Sequence, residues 1–301
     1  MNSGKLMRRL TARVRRSWTL REWAIRAAAW MAPDRVVVLD MPPTAGRRWN
    51  ADHPHAGLSQ IINANRAIYA NNLRAFLALT EELVRIPIER PDESTEPCWN
   101  NGWIPASDGV ALYGFVATCK PRRYIEVGSG NSTLFARRAI RDGHLETRIT
   151  SIDPWPRASI DRICDEVIRQ PAETVSAGVF DCLEAGDILY IDGSHRVLMN
   201  SDVTALFLDV LPLLKPGVLV HVHDITLPHD YPAEWAGRWY SEQYLLAAFL
   251  LAKEAKFDIL LPNWFIKHDA ELSGMLDPLW QRPELQGIAL YGGCSFWMRA
   301  R

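Results

Sequence analysis

No run of apolar residues in this sequence is long enough to cross a bilayer, so its pattern excludes a membrane-spanning helix. It also has no CxxC pair. Five cysteines stand far apart at 98, 119, 164, 182 and 294, an odd number. Neither a disulfide framework nor a zinc site is expected from that spacing; reduced thiols in a cytoplasmic protein are the simple reading. Neither sign of charge dominates: 34 Lys and Arg stand against 35 Asp and Glu, a net charge of −1. That balance argues against a nucleic-acid partner. There is no internal repeat and no low-complexity tract. Arginines interrupt any apolar core that a secretory signal would need.

The balance hides an asymmetry. Residues 1–30 hold eight Lys and Arg and one acid, leaving 26 basic and 34 acidic residues, a net of −8, in residues 31–301. Met7, Leu10, Val14 and Trp18 recur at helical spacing, with Arg8, Arg9, Arg13, Arg15 and Arg16 over much of the remaining surface. A helix over 5–30 is therefore basic and amphipathic. It suits peripheral contact with an anionic membrane surface, or it packs its tryptophans on the domain or on a second copy in a homo-oligomer. A transit-peptide-like composition is a third reading.

Residues 35–39 read as a short strand, and 58–85 as one long helix with Ile61, Ile62, Ile68, Leu73, Phe76, Leu77 and Leu83 on its apolar face. The turn-rich stretch RPDESTEPCWNNGWIP at 90–105 is the best boundary. It separates a helical N-terminal extension, 1–105, from an α/β domain, 106–301. In the second part helices are expected at 107–119, 132–141, 200–213 and 239–254. Strands are expected at 123–127, 148–152, 164–168, 187–192, 218–224 and 257–262, with one or two more near the glycine pair at 292–293. Strands separated by helices imply a parallel sheet covered on both faces.

Four of the apolar runs finish on polar residues. YIEVGSG presents Glu126, Gly128 and Gly130; ITSIDP ends at Asp153; ILYIDGSH ends at Asp192 and His195; VLVHVHD ends at His223 and Asp224. An aspartate after a strand is often only a turn former. Four such ends with a glycine turn point to one shared crevice at the carboxyl edge of a parallel sheet.

The ligand of that crevice is a choice between a pyrophosphate and a cation. A dinucleotide turn wants G-x-G-x-x-G, and Thr133 stands where the third glycine belongs. Asp153 is suitably spaced for a ribose. Glu126, two residues before Gly128, can accept hydrogen bonds from a ligand or order the loop. A carboxylate there suits a cationic ligand better than a pyrophosphate.

EVGSGNST, SIDP, ILYIDGSH, LPLLKPGVLVHVHDI and WYSEQYLLAAFL together resemble the class I S-adenosylmethionine-dependent methyltransferases, over roughly residues 100–300. Within them the resemblance is to a bacterial O-methyltransferase-like branch. It implies a Rossmann-like, seven-stranded, mostly parallel sheet whose last strand is antiparallel. It further implies that Glu126, Gly128, Ser129 and Gly130 form the loop under the methionine part of the cofactor. Asn131 and Ser132 would begin the next helix, with Ser132 in place of the family's third glycine. Asp153 would accept the ribose hydroxyls, and Asp192 would stand at the methionine end facing the acceptor. Gln170 and Glu173 are the candidates for adenine. The acceptor implied is a hydroxyl on a sugar, a glycolipid precursor or another small molecule. A nicotinamide-dependent oxidoreductase and a non-catalytic binding protein of the same fold are the alternatives.

Methyl transfer needs alignment, and a hydroxyl acceptor gains from a base or a Lewis-acidic metal. Related cation-dependent O-methyltransferases place metal-binding carboxylates where Asp192 and Asp224 stand, commonly followed by a polar ligand; here Ile225 follows. Two carboxylates suit Mg²⁺ or another hard divalent cation, and His195 and His223 would admit softer ions. Metal-dependent and metal-free catalysis both stay open. His195 is the preferred base, expected to be largely neutral at neutral pH because an unperturbed imidazole has a pKa near ~6.5. His223 is a second catalytic candidate, and His221 should share its side of the strand. His229, Trp235, Trp239 and Tyr240 are candidates to cover the acceptor.

Overall fold

The computed structural model describes residues 20–32, 46–90, 95–252, 256–290 and 292–301. Chain contacts divide it into two units, residues 1–46 and 47–301. In the first, α1 (Leu20–Met31) is a helix with Trp23, Trp30 and Met31 exposed. The earlier part of the helix expected over 5–30, and the strand expected at 35–39, lie outside the described residues. Among the described residues no helix is long and apolar enough to cross a membrane.

The second unit begins with three helices where one was expected: α2 (Ala56–Asn63), α3 (Arg66–Leu77) and α4 (Thr80–Leu83). Side-chain hydroxyls mark both breaks. Tyr69 donates to the Ile62 carbonyl at 2.7 Å, and Thr80 donates to the Leu77 carbonyl at 2.6 Å. In a continuous helix those carbonyls would accept from the backbone four residues on. The bends let Leu58, Ile62, Tyr69, Leu73, Phe76 and Leu83 all reach the core. Phe76 packs on α5 (Ala106–Cys119), where a Cβ at Gly114 would come within 2.2 Å of its ring.

The sheet has the order β3-β2-β1-β4-β5-β7-β6. Its strands are β1 (Arg123–Val127), β2 (Arg148–Ile152), β3 (Glu166–Ile168), β4 (Ile188–Ile191), β5 (Leu219–Val222), β6 (Phe257–Pro262) and β7 (Phe296–Ala300). The first five pair in parallel, and β7 runs antiparallel to both of its neighbours. This is the Rossmann-like, seven-stranded sheet with an antiparallel last strand that the motifs implied, preceded by helices. The order reverses between β1 and β4, which is where a ligand crevice opens in such sheets. Helix α6 (Asn131–Asp142) follows β1, and α7 (Asp202–Ala205) follows the β4 loop. α8 (Glu242–Leu251) leads into β6. The helix expected over 200–213 is only partly α: it widens into a π turn at 206–210 and tightens at 211–213, where Pro212 removes a donor.

Register places the polar strand ends in a row. Val127 pairs with Ile152 on one side and Ile191 on the other, and Ile191 pairs with Val222. Gly128, Asp153, Asp192 and His223 are each the next residue, so they emerge along one rim. The turn after β1 is fixed by two constraints. Gly128 has φ +81°, and a Cβ there would stand 1.9 Å from the Asp192 carbonyl oxygen, so no side chain fits. Beneath the turn lies Glu126, fully buried, taking hydroxyl donors from Thr133 and Tyr124. Thr133 in turn accepts the Gly130 N–H at 3.0 Å.

Burial pushes the Glu126 carboxyl up from its ordinary 4.5 to about 7, against the pull of the Ser132, Thr133 and Tyr124 hydroxyls. Below pH 4.5 the group is protonated whether the chain is folded or not. As pH rises toward about 7 the unfolded chain sheds this proton first, so stability falls. Glu126→Gln has no such dependence. Between pH 4.5 and about 7 the stability difference should move in the variant's favour by up to about 3 kcal/mol. Urea unfolding at several pH values measures it; a difference that stays constant would show an ordinary carboxyl at 126.

Candidate active site

Between the ends of β1, β2 and β4 lies a cavity of about 370 Å³. The turn Gly128-Ser129-Gly130, with Asn131 and Ser132, forms its floor, and Asp153, Glu173 and Asp192 stand around it. Seven of the eight residues considered for the cofactor therefore share this lining. Glu126, the eighth, lies below the turn. Of the two adenine candidates, Glu173 lines the cavity and Gln170 is not on the lining.

Asp153 clamps the turn from the side. One carboxylate oxygen accepts the Ser129 N–H at 2.8 Å, and the other accepts the Trp155 N–H at 2.7 Å. The Ser151 and Ser129 hydroxyls meet at 2.8 Å below. The cavity's charge is acidic: Asp153, Glu173, Asp192 and Asp202 line it, against the single guanidinium of Arg157. That guanidinium sits over the Trp103 ring at 4.4 Å, a cation–π contact at the mouth. A cation gains from this lining and a pyrophosphate is repelled by it.

Beyond Asp192 the rim becomes a chain of carboxylates and imidazoles. His195 directs Nε2 at Asp192 (3.2 Å) and Asp224 (3.6 Å), and its Nδ1 meets Glu242 at 2.9 Å. His223 directs Nδ1 at Asp192 and Asp224, 3.5 Å each, and its Nε2 lies 3.3 Å from Asp108. The start of α8 holds the His195 backbone too, because the His195 carbonyl accepts the N–H groups of Ser241 and Glu242 at 2.8 and 3.1 Å. His195 and Asp224 both take left-handed conformations, φ +60° and +54°, which turn their side chains back toward the rim.

The electrostatics follow from this packing. Burial opposes charge on His195, but the carboxylates of Asp192 and Glu242 outweigh it and hold the imidazole well above its ordinary pKa. Burial opposes charge on His223 in the same way and is outweighed by Asp192 and Asp108. Burial alone would raise Asp192, yet His223 and His195 bring it well below the usual carboxylate range. Asp108 is likewise lowered, with burial overcome by His223 and Asn263. The expectation that His195 would be largely neutral at neutral pH is therefore corrected. It rested on an isolated imidazole, and three carboxylates surround this one.

The remaining candidates divide. Tyr240 lies 4.6 Å from the His195 ring, and Trp235 packs on Tyr240 at 6.0 Å, so both wall the space above the rim. Trp239 is exposed. His229 accepts the Trp264 indole N–H at 2.9 Å and lines a separate cavity of about 440 Å³ with Ser59, Gln60 and Phe265. Its pKa falls to about 4 through burial, with nearby His268 and Arg47 adding to the shift. His221 does share the His223 side of the strand, but it stacks on Tyr190 at 3.7 Å, below the rim.

Three residues of the rim escaped the sequence reading: Glu242, Asp108 and Cys294. The signal available for Glu242 was a single acid opening the otherwise apolar helix EQYLLAAFLL. Asp108 was an acid in the first turn of an apolar helix, which normally reads as an answer to the helix dipole.

A family model described as a methyltransferase domain, Methyltransf_24, matches residues 125–225. A curated Archaeoglobus fulgidus protein, described as uncharacterized, is 31% identical over 91 residues, covering 28% of this chain. The match spans only 41% of that relative's length. Among solved structures, a Podospora anserina methyltransferase bound to S-adenosylhomocysteine, PaMTH1, is 14% identical, with 94% of this chain and 97% of that one covered and a TM-score of 0.38. An O-methyltransferase from Bacillus cereus in complex with the same ligand is 15% identical, with coverage of 91% and 97% and a TM-score of 0.36. The plantazolicin methyltransferase BpumL, in complex with a pentazolic desmethyl analogue and S-adenosylhomocysteine, is 15% identical, with coverage of 77% and 98% and a TM-score of 0.43. Over residues 125–225, the match to the methyltransferase-domain model bears out the resemblance to class I S-adenosylmethionine-dependent methyltransferases read from the motifs.

Proposed function

We propose that this chain is an S-adenosylmethionine-dependent methyltransferase acting on a hydroxyl of a small or glycan acceptor. One observation carries the reading: a glycine-floored cavity with four carboxylates in its lining opens directly onto a rim that holds His195. The cavity fits the cofactor by charge and by shape. Its acids suit the sulfonium and ammonium groups, and Ile152 and Ala172 give apolar contact for a flat ring. In this reading residues 106–301 hold the cofactor, and the extension 1–105 contributes Trp103 at the mouth. A nicotinamide dinucleotide is not favoured, since its pyrophosphate would face Asp153 and Asp192.

When bound, S-adenosylmethionine supplies a methyl group made electrophilic by the sulfonium. The protein's own part is positioning and proton handling. Asp153 orders the turn and takes the ribose. Asp192 stands where the cavity meets the rim, its carboxylate facing both ways. An acceptor hydroxyl between Asp192 and Tyr240 lies beside His195 Nε2, which takes its proton once the ring has shed its own to solvent. Glu242 pins Nδ1, so the ring keeps one orientation and the imidazolium formed is stabilised where it forms. A cation bound against Asp192 offsets part of the field that otherwise keeps His195 protonated. Tyr240 and Trp235 offer flat apolar faces to the acceptor.

The metal-ion alternative at Asp192 and Asp224 does not fit this geometry. Both carboxylates are spanned by the same two imidazoles at 3.2–3.6 Å, and the next residue, Ile225, offers no side-chain donor. No catalytic step is routed through an ion there.

Three variants test the assignment. Asp153→Ala should weaken S-adenosylhomocysteine binding at least tenfold, about 1.4 kcal/mol, by calorimetry; unchanged affinity would remove Asp153 from the cofactor site. His195→Ala should lower kcat by about 10²-fold while cofactor affinity holds, and a wild-type rate would discard it as the base. Glu242→Gln should lower kcat by about tenfold at unchanged KM, because the amide cannot stabilise the imidazolium. Equal loss in both constants would mean that Glu242 serves only packing. Tight cofactor binding without turnover over a broad panel of hydroxyl acceptors would favour a binding protein instead.

A further inference from the structure

At the far end of the rim, three donors from three distant parts of the chain converge. Asp108 comes from the first turn of α5, His223 from the end of β5 and Cys294 from the approach to β7. One ligand atom from each lies within 4.8 Å of the others, and all three residues are buried. Among the described residues no other group of three His, Cys, Asp or Glu side chains meets this condition. His223 Nε2 is buried and makes no hydrogen bond, although it stands 3.3 Å from an Asp108 oxygen. That nitrogen is thus aimed at a carboxylate and a thiol, a set of donors that an ion in place of its proton would join.

We propose that Asp108, His223 and Cys294 bind a thiophilic divalent cation, Zn²⁺ by its chemistry. Mixed thiolate, imidazole and carboxylate donors select zinc over magnesium or calcium. Zinc bonds of about 2.0–2.3 Å put neighbouring tetrahedral donors about 3.3–3.8 Å apart, and the His223–Asp108 pair already meets that spacing. The Cys294 thiol donates to Asp224 Oδ1 at 3.1 Å, which holds the sulfur in place, and the fourth position is left to water.

The surrounding contacts are those a metal ligand needs. Asp108 is held by the Cys294 N–H at 2.9 Å, the Ser295 N–H at 3.1 Å and the Asn263 amide at 2.7 Å. With Nε2 on the ion, the Nδ1–H of His223 points at Asp192 and Asp224, 3.5 Å away, so a carboxylate orients the ligating ring from behind. Binding forms Zn–S, Zn–N and Zn–O bonds. It releases the thiol proton of Cys294 and the Nε2 proton of His223 to solvent. Such an ion fastens the start of α5, the end of β5 and the entry to β7. Cysteine spacing in the sequence gave no hint of it, because the ligands stand 115 and 71 residues apart.

Metal content tests this without reference to methyl transfer. The full chain, stripped with chelator and given Zn²⁺, should retain one ion per chain through gel filtration, measured by plasma mass spectrometry. Cys294→Ser and Asp108→Asn should each weaken retention at least tenfold. Cys119→Ser, an exposed cysteine far from the cluster, should leave it unchanged. Co²⁺ in the wild type should give a thiolate charge-transfer band, which carries the test should either variant fail to fold. No retained ion, retention equal in all variants, or a cobalt spectrum without the thiolate band would each overturn the site.

Discussion

Four parallel strands ending in the same register set everything that happens at the rim. Because Ile152, Val127, Ile191 and Val222 are neighbours in the ladder, the residues just after them must emerge side by side. Those residues are Asp153, Gly128, Asp192 and His223. The glycine makes room, since the backbone of the β4 end passes where its side chain would be. Polar residues thus gather at one edge although as many as 95 positions separate them in the chain.

Gathering buried carboxylates carries an electrostatic cost, and the protein meets it by alternation. Read along the rim, Asp108, His223, Asp192, His195 and Glu242 alternate acid and imidazole, each neighbour 2.9–3.5 Å from the next. Like charges are kept apart and unlike charges adjoin, which is the arrangement a low-dielectric setting demands. The same alternation gives Asp192 its double role. It closes the glycine-floored cavity on one side and holds two imidazoles on the other.

Much of this was legible in the sequence, for a definite reason. Strands buried on both faces leave apolar runs, and the polar residue closing each run stands out, as with Asp153, Asp192 and Asp224. The alternating order of helices and strands carried the fold class with it. Other features depend on contacts that no local pattern records. The bends after α2 and α3 turn on single hydroxyls, Tyr69 and Thr80, within an otherwise continuous helical pattern. The charge of His195 depends on Glu242, 47 positions on. His229 looked like a rim residue by its place after β5, but the chain carries it past the rim to Trp264. Asp108 and Cys294 lie outside every motif, and only the packing of α5 and β7 against β5 reveals them.

The antiparallel strand has a consequence of its own. β7 is later in sequence than β6 yet sits between β6 and β5, so β6 has no other partner in the sheet. Running backward, it delivers its beginning to the rim rather than its end, and with it the two backbone donors that hold Asp108. Closing the last gap in the architecture and supplying those donors are thus one event. The strand that completes the sheet thereby supplies two of the three donors on that buried carboxylate, the Asn263 amide being the third.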